Sequence, residues 1–598
     1  MKSAPKHVWN LKQLYESHTD PRIEKDMRTS ERAYMAFEKK YKGTRVTKYL
    51  SNESALLEAL NEYTGIFEHN PIAKPLVYFF LTLDLDSRDD NARAKFNVLM
   101  ERCTQNEIKV AFFELSLGTL DEAKQAKFLA SKKLAHYHYF LKNIFDRAKH
   151  DLSEAEEKIM SLKGLPAHER WVSMTEKILG KATVLFEGKN MPISEAMYRI
   201  ADLPKKDRYE LHDAVMAVLE KTDIVAESEI NALVLNKKID DELRGYKHPQ
   251  DATIEGYQND AKSIKVLVDT VTKHFHVSQR FYALKAKILG SKKLRYPDRN
   301  VGIGKGPLKK VTFAESVEIL REVFGALDPQ YRSILDSFLE DGQIDAHPKV
   351  GKSGGAYCAG NTHLPTFVLL NHTDTLEQVS TFAHEMGHAI HTELSKSQPV
   401  IYQGYSTSTA EVASTLFESF VFDALFEKLS DTEKVEALHR KISDDIQTIF
   451  RQIACFNFEE EMHNTIREKG ALSASELRLL MNKHMSSYLG PTFDMKESDG
   501  NFFVSWSHIR RFFYVYSYAF GQLVSKALYV NYKKDKKYLE KIESFLKAGG
   551  SDSPENIFKS IGIDVTKPSF WKQGIESIER DIDVLEKLTG KLTKKGGR

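Results

Sequence analysis

The sequence predicts a mainly α-helical fold, on three observations. Apolar residues recur at spacings of three and four through much of the chain, as one buried helix face requires. Strand signals concentrate in one short region. No repeat of fixed period and no low-complexity tract breaks the pattern. The chain has 598 residues, room for about four domain-sized units or one large two-lobed fold.

In chain order, the helical spacing runs through 55–69, 154–163, 263–289, 312–325, 413–429, 433–455 and 572–588. Asp202-Leu-Pro-Lys-Lys-Asp207 breaks it, so an amino-terminal helical lobe is expected over 1–204 and a second region over 205–590. Gly302 to Pro307 reads as a plain connection, because it lacks the Lys-Ser/Thr ending of a phosphate loop. Gly354-Gly355 opens an aromatic and β-branched stretch, Ala356 to Leu370, read as a hairpin or small sheet. The basic tail 591–598 is expected to fray.

Composition excludes several classes. Hydrophobic residues at 41% and charged residues at 28% are those of a globular protein, not of a disordered or fibrous one. Lys+Arg 86 against Asp+Glu 84 leaves +2, so no basic excess points to nucleic acid. Cys103, Cys358 and Cys455 lie far apart without CxxC spacing and read as reduced thiols. MKSAPKHVWN has no secretory apolar core, and no apolar run reaches the roughly 18 residues of a membrane span. A cytoplasmic protein without membrane or nucleic-acid partners is expected.

The informative motif is His384-Glu385-Met386-Gly387-His388. Residues four apart share a helix face, so both imidazoles can reach one ion, and zinc takes neutral imidazole nitrogen at about 2.0–2.1 Å. Glu385 then faces a water at the ion and can take its proton. Asp374 and Glu377 resemble a capping box ahead of the stripe Leu376, Val379, Ala383, Met386, Ile390. Gly387 weakens a helix but admits close approach of another backbone. His391 reads as a supporting or surface histidine, because a catalytic zinc takes three protein ligands and keeps one position open.

A third ligand must come from elsewhere. A second helix is expected from about Ser408, carrying Glu411 and Glu418 beside the apolar Val412, Leu416, Phe420 and Val421. Glu411 completes a His-His-Glu set, although Ser408-Thr-Ala-Glu411 is also a capping box in which it would only cap. Glu418 reads either as a solvated carboxylate or as the group that orients a ligating imidazole.

With these residues in view, the chain resembles the oligoendopeptidase F-type members of the thimet oligopeptidase family of zinc metallopeptidases. The resemblance is carried by Trp9-Asn-Leu11, Leu14-Tyr15, Asp20-Pro21, Arg244-Gly-Tyr-Lys247 and Gly351-Lys-Ser-Gly-Gly-Ala-Tyr-Cys358. Most specific are Thr381 to His391 (TFAHEMGHAIH) and Ala410-Glu-Val-Ala-Ser414. It implies a two-lobed helical body with a deep substrate channel and a small sheet beside the metal helix. It implies one zinc held by His384, His388 and Glu411, with Glu385 as catalytic base and short peptides as substrates. Phe513-Tyr-Val-Tyr-Ser-Tyr-Ala519, preceded by His508, resembles the segment that holds the substrate carbonyl. Tyr514, Tyr516 and Tyr518 equally fit core aromatics. On a continuous helix His508 and Tyr516 differ by about 80°, nearer than His508 and Tyr514, which ranks Tyr516 first. Ser353 departs from the family, where a basic residue is common. Two other functions compete: a helical zinc carboxypeptidase or dipeptidase, and a catalytically silent peptide-binding protein.

Overall fold

A computed structural model describes residues 7–69, 73–304, 310–360 and 363–596. It is mainly α-helical with two small sheets. The chain folds into two compact units that interleave in sequence. One comprises 1–150, 308–424 and 535–557, the other 151–307, 425–534 and 558–598. A single cut near residue 204 therefore separates neither unit, because chain neighbours do not always share a core. Part of the Gly302–Pro307 stretch lies outside the described residues.

In the first unit, an aromatic core gathers around Phe113, with Phe37, Leu60, Tyr63 and Leu141 all buried. The region expected to be a hairpin packs in a second core of this unit, with Trp9, Leu14 and Phe79. Tyr357–Ala359 pairs antiparallel with Phe367–Leu369, and Ile344–Asp345 adds a parallel strand on the other side. Pro365 lies between the two strands of this stretch. The chain's opening segment locks this sheet: Trp9 Nε1 donates to the Val368 carbonyl at 2.8 Å, and its ring packs edge-on against Phe367. Lys352 forms a buried ion pair with Asp345 at 2.7 Å, while Ser353 donates to Asp84 at 2.6 Å.

The helix Leu376–Ser395 packs on this sheet and on the helices Phe313–Leu327, Pro329–Glu340 and Leu539–Ala548. Val379, Phe382, Ala383, Met386, Ala389, Ile390 and Leu394 form its buried stripe. Its start differs from the expected capping box. Thr375 is the N-cap without a side-chain cap bond, and Asp374 sits at φ +59°. A backbone bridge from Lys310 to Thr375 holds the turn instead.

The second unit is built around Pro568–Gly596, which packs on Ala261–Lys273, Phe275–Ile288, Asp431–Asp445 and Tyr516–Lys534. This last helix continues through most of the tail expected to fray; residues 597 and 598 are not described. The predicted run 433–455 is a helix that passes through a π-helical turn, Ile446–Arg451, and continues to Lys469. The hairpin Thr183–Phe186 with Lys189–Pro192 escaped the sequence reading. Glu187 and Gly188, both at positive φ, make the two-residue turn that right-twisted strands favour. Glu187-Gly188 after the apolar run Val184-Leu185-Phe186 was its only sequence signal. Among the described residues, no helix is long and apolar enough to cross a membrane.

Candidate active site

The helix Leu376–Ser395 turns His384 and His388 toward one cavity, their rings 5.0 Å apart and nearly perpendicular. The helix Thr407–Glu427 brings Glu411 to both. Glu411 Oε2 lies 3.4 Å from His384 Nε2 and 3.9 Å from His388 Nε2. One ligand atom from each residue falls within 4.8 Å of the other two. A tetrahedral ion with bonds of about 2.0–2.1 Å holds its donors about 3.3 Å apart, so this set fits a divalent metal after a small inward movement.

Gly387 explains how the two helices come so close. A Cβ there would stand 2.7 Å from Ser414 Cα and 3.0 Å from the Ala413 carbonyl. Glu411 lies one turn inside its helix rather than at the cap, and Ser414 Oγ donates to it at 3.2 Å. Glu418 Oε2 stands 3.5 Å from His384 Nδ1, the contact that would fix the ring and leave Nε2 for an ion.

Electrostatics suit the same reading. Burial resists the charge of Glu411, but His384 and His388 outweigh it and hold the carboxyl well below its ordinary range. Burial also resists charge on His384, yet Glu411 and Glu418 raise it; His388 is lowered by burial and by His384. Glu385 is 6% exposed, and burial pushes it up to about 7, with His384 opposing and the charges of Glu411 and Glu418 adding. A carboxyl near neutrality exchanges protons readily. The cavity measures about 530 Å³ and is lined by His384, Glu385, His388 and Glu411 together with Cys358, Thr392 and Tyr405. His391 is not at the surface. It is fully buried and stacks on Tyr405 at 3.7 Å and 7°.

The aromatic segment belongs to the second unit and is not a continuous helix. Ser507–Arg510 is a 3₁₀ turn, Phe512 and Phe513 both adopt positive φ (48° and 60°), and the helix begins only at Tyr516. The angular argument that ranked Tyr516 first therefore has no helix to act on. Tyr516 is fully buried and donates to Asn259 Oδ1 at 3.0 Å. The Tyr514 hydroxyl instead meets His508 Nδ1, with Tyr518 close to both rings. Burial, then the charges of Arg451 and Arg511, keep His508 below its ordinary value and hence neutral.

Two non-glycine residues in the left-handed region cost free energy that other contacts must offset. Phe513 N–H donates to buried Glu459 at 3.2 Å, and Thr253 Oγ1 donates to the Phe512 carbonyl at 3.0 Å. Arg510 grips Glu229 through two bonds of 2.8 Å, both residues buried. Sequence reasoning missed Glu229, Thr253 and Glu459. Glu459 stands in the run Glu459-Glu-Glu461, which reads as a solvated face.

A helical fold that gathers both HExxH histidines, the motif glutamate and a later glutamate into one cavity defines a hydrolase of the HExxH class. Comparison with known proteins narrows the class. Residues 208–577 match peptidase family M3 and residues 117–181 match Oligopeptidase F. An oligoendopeptidase F homolog of Borreliella burgdorferi is 25% identical, covering 89% of this chain and 91% of that protein. The oligopeptidase PepF of Bacillus subtilis is 25% identical over 92% of this chain and 83% of its own length. Among solved structures, the oligoendopeptidase-F from Enterococcus faecium has a TM-score of 0.67 at 21% identity, covering 95% of this chain and 98% of that one. A peptidase candidate from Chlamydophila abortus has a TM-score of 0.85 at 23% identity, covering 98% and 99%. The chain belongs to peptidase family M3. It is therefore a metallopeptidase, and its substrates are peptides.

Proposed function

We propose that this protein is a zinc-dependent cytoplasmic endopeptidase that hydrolyses internal bonds of short peptides. The observation that carries the reading is the convergence of His384, His388 and Glu411 on one point, with Glu385 buried beside them. The endopeptidase type and the short substrates follow the names of the relatives.

His384, His388 and Glu411 would hold one zinc ion, with Glu418 fixing the ring of His384. Bound there, the ion would supply Lewis-acid chemistry toward the scissile carbonyl and the water. Glu385 takes the proton of the attacking water and passes it to the leaving amine. Burial of its carboxyl raises its affinity for the proton it must accept. Tyr514 and His508 are the proposed donors to the carbonyl oxygen as negative charge builds on it. Tyr516 is replaced by Tyr514 in this role because its hydroxyl is sealed against Asn259.

Digestion of a mixed peptide library, read by mass spectrometry with and without chelator, tests the reading. Internal cuts that vanish with chelator are expected, including cuts in peptides blocked at both ends. Products released only from a free end would replace the endopeptidase with an exopeptidase. Intact peptides in the zinc-loaded sample would sink the enzymatic reading.

A further inference from the structure

Arg451 ends the π-helical turn Ile446–Arg451, a rare local geometry that is frequent at functional sites. Its guanidinium is deep but not sealed. Among the described residues it has no carboxylate within ion-pair distance and no hydrogen-bond acceptor, and its Nε is buried and unpaired. What it does touch is aromatic: Cζ lies 5.1 Å from the ring centre of Phe502.

The surroundings repeat the pattern. Arg299 stacks over Tyr296 at 3.9 Å, with its own Nε unpaired, and Tyr296 lies 6.3 Å from Phe502. The buried hydroxyls of Tyr282, Tyr296 and Tyr488 are also without hydrogen-bond partners. Asp298, the acid next to Arg299 in the chain, is already taken by Arg208 at 2.9 Å and by Tyr209. This region holds donors in excess, and its one named acid, Asp298, is already paired. Buried donors left unpaired are costly, so a persistent excess points to an acceptor supplied from outside.

Position decides which acceptor. Phe502 stacks on Trp506 (6.3 Å, 29°), and the Trp506 ring is 5.5 Å from His508. Arg451 is thus three ring contacts from the proposed carbonyl-binding histidine. An extended peptide, rising about 3.3 Å per residue, covers that path in no more than about five residues.

We propose that Arg451 is a carboxylate subsite for the peptide substrate. Its planar guanidinium receives, through paired hydrogen bonds, either the peptide's C-terminal carboxylate or an acidic side chain within a few residues of the cleaved bond. The inference rests on the peptidase reading of the site. It deepens that reading by making Arg451 a gauge of distance from a fixed negative charge.

The test compares one quenched-fluorescence peptide as free acid and as C-terminal amide, on the zinc-loaded full chain and its Arg451→Lys and Arg451→Met variants. The wild type should favour the acid in kcat/KM by on the order of tenfold to a hundredfold, mainly through KM. That ratio should shrink toward one in Arg451→Met and only partly in Arg451→Lys. If acid and amide are equal, Asp is scanned along the amide peptide. A gain at one position that disappears in Arg451→Met assigns the subsite to an acidic side chain. No acid preference and no Arg451-dependent Asp position would overturn the proposal. Should Arg451→Met not fold, the wild-type comparison and Arg451→Lys still decide. Binding of the labelled acid and amide peptides to the Glu385→Gln protein, followed by anisotropy, separates the two readings. Equal binding of both with no Asp effect removes the subsite, whatever the wild type cleaves. An acid preference without wild-type turnover keeps the subsite and removes the peptidase reaction.

Discussion

The two regions assigned to the chemistry are built on opposite principles. His384, Glu385 and His388 sit on one regular helix, and the helix repeat alone aligns them. His508 and Tyr514 sit on a turn that no local preference would choose, with two phenylalanines in the left-handed region. One region is held by its own secondary structure. The other is held by distant side chains: Glu229, Thr253 and Glu459. A helical site should therefore fail residue by residue, whereas an anchored turn should also fail when a remote anchor is removed.

The sharpest test on the helical side is Glu385→Gln. The amide cannot accept the water's proton, so turnover should fall by on the order of a thousandfold or more, with zinc content and fold retained. Peptide cleavage by the zinc-loaded variant at the wild-type rate would end the role of Glu385 as base.

Glu411→Gln breaks the same region through the ion. Zinc per chain after dialysis should drop steeply, because two imidazoles alone hold the ion poorly. A variant that keeps its zinc and loses only about 1–2 kcal/mol of stability would return Glu411 to the capping role.

On the anchored side, Tyr514→Phe should lower kcat on the order of a hundredfold, with zinc unchanged and KM little affected. Tyr516→Phe should behave differently. It removes the bond to Asn259, so about 1 kcal/mol of stability is lost while turnover changes little. Single-turnover rates and thermal melts of both variants decide, and a reversal would restore Tyr516 as the oxyanion donor.

The smallest expected effect is a pH dependence at an anchor. Burial raises Glu459 to about 8, and the Phe513 N–H opposes that shift. The folded state therefore holds this proton between about pH 4.5 and 8, where the unfolded chain has released it. The stabilising effect of the neutral group is complete below about 4.5 and is lost as pH rises through 8. Glu459→Gln keeps the acceptor for Phe513 and cannot ionise. Its melting temperature relative to wild type should rise between pH 5 and 8.5. A constant difference would mean that Glu459 does not titrate in that window.

Legibility in the sequence follows the same divide. The HExxH helix and its buried stripe were readable because a period of 3.6 residues projects directly onto a face, and the strand region 356–370 because its residues are aromatic and β-branched; the need for a third ligand followed from zinc coordination. Gly387 was readable as a point of close approach, and its neighbour is the backbone of Ala413 and Ser414. The left-handed start at Asp374 and the hairpin at Glu187-Gly188 were harder to read, since each depends on a few backbone angles rather than on a period.

By itself, then, the sequence determined the fold class and the helix that carries His384 and His388, since each is a local, periodic property, while Glu411 stayed open between a third ligand and a cap. Only the tertiary structure decided that Tyr514 and not Tyr516 meets His508, that His391 is buried against Tyr405, and that the units interleave. It alone placed Glu459 beneath the strained turn and Arg451 among rings without an acid. The reason is physical. These outcomes depend on contacts between residues tens to hundreds of positions apart, and the free energy of such contacts leaves no period in the chain.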